Sequence, residues 1–69
     1  MKNRIKVERA IHNITQAQLA EKVSVSRQTI NAIELGKFVP STILSLKIAS
    51  IFGKEVNAIF ELEEEDWKK

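Results

Sequence analysis

Two helix-start signals stand eleven residues apart in the first half of the chain, and their spacing constrains the fold more than any other feature. Thr15 is a good N-cap, and Gln18 sits at the third helical position, where its amide can reach back to the cap and form a capping box. Ile14 and Leu19 hold the flanking positions of a hydrophobic staple. The device recurs with Ser26 as cap and Val25 and Ile30 as the staple pair. Only Ser24, Val25 and Ser26 separate one helix from the next, so the two must meet at a corner rather than continue as one rod.

Helical phase decides which side of the second helix is free. At about 100° per residue, Thr29, Ile30 and Ile33 fall together, while Arg27, Gln28, Asn31, Ala32 and Leu35 fill an arc of roughly 140° opposite them. Arg and Gln side chains can bond bidentately to guanine O6/N7 and adenine N7/N6 in a major groove, and Asn can do the latter. Taken alone, these residues suit an ordinary solvated face equally well. The doubled start signal is what turns the reading toward a helix held out to a duplex.

The flanking segments read as scaffold. Ile5, Ala10, Ile11 and Ile14 suggest a first helix over about Arg4 to His12, with Glu8 its awkward member and Asn13 able to end it in the left-handed conformation. After a loop from Lys37 to Pro40, Ser41 can cap a fourth helix whose Leu44, Ile48, Ile51 and Phe52 recur at helical spacing, and Gly53 can close it. Val56 and Asn57 lead into a short fifth helix from about Ala58, with Ile59 and Phe60 expected to plug the core. No internal repeat interrupts this series. The expected class is mainly all-α: five helices around one core.

Composition supports a single small domain, 1–62, followed by an acidic tail, 63–69. A chain of 69 residues without cysteine has neither disulfides nor thiolate zinc ligands to staple it, so its core must be well packed or completed by a partner. Up to Phe60, nine basic residues face four acidic ones, an excess of five; from Glu61 on, five acidic residues face Lys68 and Lys69. A basic head suits a polyanion, and an acidic end can discourage the wrong orientation, although a merely solvated end fits Glu63 to Lys69 as well. No apolar run approaches the length of a secretory or membrane segment, so a cytoplasmic location and no membrane partner are expected.

Catalysis has little to work with. One His, one Asp, and no Cys or Tyr leave no His pair for a metal and no nucleophile with an obvious base, so no enzyme and no cofactor are expected. His12 fits a surface residue favouring the helix dipole. The run Glu63 to Asp66 lacks the alternating spacing of a calcium loop.

The stretch TQAQLAEKVSVSRQTINAIELG, Thr15 to Gly36, resembles the helix-turn-helix of the phage-repressor (Cro and C1) type regulators, the XRE family. Ala20 stands at the small crossing position, Val25 in the turn, Ile30 and Ile33 at core positions and Gly36 at the helix end. SRQTINAIE is especially similar to short single-domain bacterial and archaeal regulators of the cytolysin-repressor kind, and the likeness runs from Asn3 to about Glu63. It implies a five-helix lambda-repressor-like DNA-binding domain with room for a short terminal β pairing. It further implies that Gln16 holds a DNA phosphate, that Arg27 and Gln28 read bases, and that Asn31 faces the groove. Lys37 and Phe38 then follow the phosphates, with Ser26 counted among the DNA-binding positions. Arg9 and Glu34 match a partly buried ion pair between the first and third helices. Three residues depart from the family pattern: Ser24 where Gly is usual, Ala32 where a long polar side chain can stand, and Leu35 in place of a polar residue.

The function so implied is sequence-specific binding of double-stranded DNA by a transcriptional regulator, a repressor acting as a homodimer on a palindromic operator, with no small-molecule ligand indicated. Ile59 to Leu62 and Trp67 are the residues expected to supply the dimer contact. The alternative is an antitoxin-type module that binds a partner protein as well as DNA, with the acidic tail and Trp67 as the masking element.

Overall fold

The computed structural model describes residues 1–68. In chain order it contains β1 (Lys2–Asn3), α1 (Ile5–His12), α2 (Gln16–Val23), α3 (Arg27–Glu34), α4 (Thr42–Ile51), α5 (Val56–Ile59), β2 (Phe60–Glu61) and a 3-10 turn over Glu64–Trp67. Lys69, the last residue of the expected acidic tail, lies outside the described residues. The mainly helical class and its five helices are as expected, and the room left for a terminal β pairing is filled. β1 and β2 run antiparallel with Lys2 opposite Glu61 and Asn3 opposite Phe60.

The helix starts follow from local chemistry. Thr15 Oγ1 accepts from the Gln18 amide N–H at 3.0 Å while Gln18 Oε1 accepts from the Thr15 N–H at 2.8 Å, completing the capping box. Ser26 accepts from the Thr29 N–H and Ser41 from the Leu44 N–H, each at 3.1 Å. Both staple pairs reach the core: Leu19 and Ile30 are fully buried in it, and Ile14 and Val25, partly buried, pack against it.

The first four helices also stop alike. In each, the residue after the last turn takes a left-handed conformation: Asn13 (φ 55°), Ser24 (φ 62°), Gly36 (φ 75°) and Gly53 (φ 65°). The next N–H then turns back to the helix, as Val25 does to Ala20 and Lys37 to Ala32, so the last carbonyls are satisfied in Schellman fashion. A Cβ on Gly36 would meet nothing within 4 Å; it is the backbone angle, not crowding, that favours glycine there. Ser24 takes the same angle with a Cβ, at a strain cost of about 1 kcal/mol.

One core joins these elements, built from Ile5, Leu19, Ala20, Val23, Ile30, Ile33, Leu44, Ile48, Ala49, Phe52, Ile59 and Phe60. Three expectations need correction. Ala10 and Ile11 do not pack inward: Ile11 is exposed, and α1 turns Ile5 and Glu8 into the core instead. In α4, Ile51 sits at the margin and Ala49 takes the inner position. The fifth helix begins at Val56 and ends at Ile59, because Phe60 is already extended and paired with Asn3.

Candidate nucleic-acid interface

The corner between α2 and α3 brings the candidate residues to one surface. Ile30 and Ile33 face inward, and Arg27, Gln28 and Asn31 are exposed, as helical phase requires. Ala32 is half-buried, and Leu35 lies open at 60% exposure. Beyond Gly36, Lys37 and Phe38 are exposed on the loop that leads to α4. The Ser26 side chain caps α3 and also meets the Thr29 hydroxyl at 2.9 Å. An open groove between the end of α1 and the starts of α2 and α3 is lined by Arg9, Asn13, Thr15, Gln16, Ala17 and Arg27.

Behind this surface lies a polar network tying three helices together. Arg9 grips both oxygens of Glu34, Nε to Oε2 at 2.7 Å and Nη2 to Oε1 at 3.1 Å, and its Nη1 donates to the Ile14 carbonyl at 3.2 Å. The side chains are 16% and 7% exposed, so the ion pair is partly shielded from water. The bonds to Glu34 outweigh that burial and hold the Arg9 guanidinium charged above its already high range. Gln16 joins from α2: its Nε2 donates to Glu34 Oε1 and to Asn31 Oδ1, both at 3.1 Å. The side-chain amide expected at a phosphate thus has its donors on two other side chains, with the bond to Asn31 exposed and that to Glu34 part-buried.

Sequence reasoning missed two supports. Asn3 Nδ2 donates to the Ile33 carbonyl at 2.8 Å, and Asn3 Oδ1 accepts from the Ile5 N–H at 3.2 Å, so one side chain links β1, the start of α1 and the end of α3. Glu8 is wholly buried, with Oε2 on Lys54 Nζ at 3.0 Å. The sequence marks Glu8 only as an awkward member of α1 and does not mark Asn3, because Ile33 and Lys54 lie 30 and 46 positions away.

Ile59 and Phe60 plug the core, as expected, and so are not open to the dimer contact also expected of them, which leaves Leu62 and Trp67 as the open apolar groups there, Trp67 at 75% exposure. The 3-10 turn folds back to the N-terminus, where the Met1 ammonium group meets Glu63 at 3.0 Å and Asp66 at 3.2 Å. Among the described residues no cluster of His, Cys, Asp and Glu could hold a metal, and no helix is long and apolar enough to cross a membrane.

Comparison with known proteins agrees with this geometry. The Helix-turn-helix family profile matches residues 5–59. An HTH-type transcriptional regulator of Methanocaldococcus jannaschii is 53% identical over 66 residues, covering 96% of this chain and 100% of that protein. The HTH-type transcriptional regulator YgzD of Bacillus subtilis is 47% identical with the same coverage. A third such regulator, from Archaeoglobus fulgidus, is 46% identical over 70 residues, covering 100% of this chain and 99% of its own.

Proposed function

The chain belongs to the Cro/C1-type helix-turn-helix family of transcriptional regulators, a non-enzymatic DNA-binding class, and on that premise we propose that α3 enters the major groove of an operator as the base-reading element of a homodimeric repressor. The observation that carries this reading is the division of α3, whose isoleucines are buried while Arg27, Gln28 and Asn31 stand open on one side. Arg27 suits guanine and Gln28 suits adenine through bidentate hydrogen bonds. Ser26, Lys37 and Phe38 border that edge and follow the phosphate backbone, fixing register rather than sequence. Gln16 keeps its place at a phosphate through its backbone N–H at the start of α2, its side-chain donors being bonded to Glu34 and Asn31.

One module reads one half-site. A two-fold dimer places two copies of α3 about one helical turn apart, roughly 34 Å, and the operator inherits that symmetry. Residues 1–62 form the DNA-binding domain in this reading, and Leu62 and Trp67 supply apolar surface for the dimer. Acting on the chromosome as a repressor also places the protein in the cytoplasm.

Selection of bound sites from a random duplex pool tests the proposal. The expected result is a two-fold repeat with half-sites one helical turn apart, and a protein that sediments as a dimer at the binding concentration. Gln28→Ala should relax preference at one position and cost about 1–3 kcal/mol on the selected site, whereas Lys37→Ala should weaken all duplexes alike and reduce the salt dependence. Failure to retain any duplex at low ionic strength would overturn the reading.

A further inference from the structure

A side-chain amide offers a base either a donor or an acceptor according to which way it is turned, and at Asn31 that choice is made inside the protein. Resting on the reading of α3 as the DNA-facing helix, we propose that Asn31 presents only its N–H groups to the groove and selects guanine over adenine, with Gln16 and Glu34 as positioning residues that act through it.

The orientation follows from a chain of donors and acceptors. Arg9 holds both oxygens of Glu34, at 2.7 and 3.1 Å, so Glu34 is a carboxylate that accepts and cannot donate. The Gln16 atom 3.1 Å from Glu34 Oε1 must therefore be the amide nitrogen, not the oxygen. That nitrogen carries a second hydrogen, aimed at Asn31 at 3.1 Å, and a hydrogen there has to meet an oxygen. Asn31 accordingly turns Oδ1 inward and Nδ2 outward. Among the described residues no hydrogen bond engages Asn31 Nδ2. Reversing the amide would set two N–H2 groups against each other and forfeit one hydrogen bond, a bias of about fivefold in population.

The consequence for recognition is specific. Asparagine reads adenine by accepting from N6 through its oxygen while donating to N7, which needs both ends of the amide facing the base. With Oδ1 turned inward onto Gln16, the end of the Asn31 amide left facing the groove is Nδ2, which only donates. The edge that matches is guanine, whose N7 and O6 both accept; thymine O4 gives a single acceptor, and the cytosine N4 donor is disfavoured. Direct contact at one α3 position is thus decided by an ion pair that begins at Arg9 on α1.

The test uses the full chain and four duplexes that differ only at the base pair to which Asn31→Ala becomes indifferent. The expected wild-type order places guanine about tenfold above adenine. Gln16→Met removes the inward donor without adding charge, and the guanine-to-adenine ratio should fall to about twofold as the amide turns freely. Gln16→Glu, its carboxylate repelled by Glu34 and drawn to the Asn31 N–H2, should reverse the preference, because Oδ1 is then left outward to accept from adenine N6 or cytosine N4. Each ratio is taken within one protein, so a general loss of affinity cancels, and Gln16→Met leaves the core untouched. Adenine preferred by the wild type, ratios unmoved in both Gln16 variants, or no position made indifferent by Asn31→Ala would overturn the proposal while leaving DNA binding intact. Absence of binding to every duplex would instead remove the reading on which it rests.

Discussion

Adjacent residues of α1 tie it to two different parts of the molecule: Arg9 to Glu34 at the end of α3, and Glu8 to Lys54 just beyond the end of α4. In the first pair nearly every polar atom has a partner, since Arg9 also serves the Ile14 carbonyl and Glu34 also receives Gln16. In the second, Glu8 Oε1 is buried without a hydrogen bond, and the nearest cationic candidate, His12 Nε2, stands 3.7 Å away, too far to donate well. Lys54 itself is 45% exposed. The contrast shows that an ion pair in a small domain can serve position or be merely tolerated. The satisfied pair fixes α3 and, through Gln16, the edge it offers; the unsatisfied one keeps a carboxylate in the core at a cost that packing must offset.

That contrast can be broken by mutation, beginning with Glu34→Ala. It strands the Arg9 guanidinium and frees Gln16, and should lower unfolding free energy in urea by about 3 kcal/mol while reducing operator affinity in the folded protein. Lys54→Met leaves the Glu8 carboxylate buried with no cation beside it. Because Lys54 is partly solvated already, a smaller loss of about 2 kcal/mol is expected, with operator affinity unchanged at a temperature where the variant is folded. A larger loss than in Glu34→Ala would reverse the ranking of the two pairs.

Glu8→Met sharpens the same point, since it fills a comparable volume with apolar atoms and lets Lys54 turn to water. Its unfolding free energy should stay within about 1 kcal/mol of the wild type, in either direction. A loss comparable to that of Lys54→Met would mean that the carboxylate stabilises the fold through Lys54 rather than being merely tolerated. The smallest effect belongs to an exposed third cluster. Asp66 is held below the usual carboxylate range chiefly by the N–H of Glu63, which donates to it at 2.7 Å, with the Met1 ammonium adding to this against desolvation. A depressed folded value means that its stabilisation is present above the unfolded carboxylate range and is lost as pH falls through the folded one. A slight acid-side drop in melting temperature should therefore appear in the wild type and be blunted in Asp66→Asn, with no counterpart at neutral pH.

The parts of the fold legible in the chain are those fixed within a few residues. Thr15, Gln18, Ser26 and Ser41 start helices through bonds no more than three positions away, and Asn13, Gly36 and Gly53 end them by backbone preference. The open edge of α3 was equally readable, because phase relative to Ile30 and Ile33 settles it. By contrast, the face of α1 was misjudged: Ile11 looked like core and Glu8 did not, because hydropathy carries no information about a lysine 46 positions away that makes a buried carboxylate tolerable. The end of α5 is set for a related reason, since pairing of Phe60 with Asn3 stops that helix from outside.

What the sequence determined by itself was a corner with two capped helices and a polar edge, because capping, staples and helical phase are local energies that each segment satisfies alone. What tertiary structure decided was how that edge is presented: the turn of Asn31 under Gln16 and the tether of α3 to Asn3 and Arg9. These depend on hydrogen bonds and packing between distant residues, whose donors and acceptors exist in any order of the chain but acquire a direction only when the helices are in place.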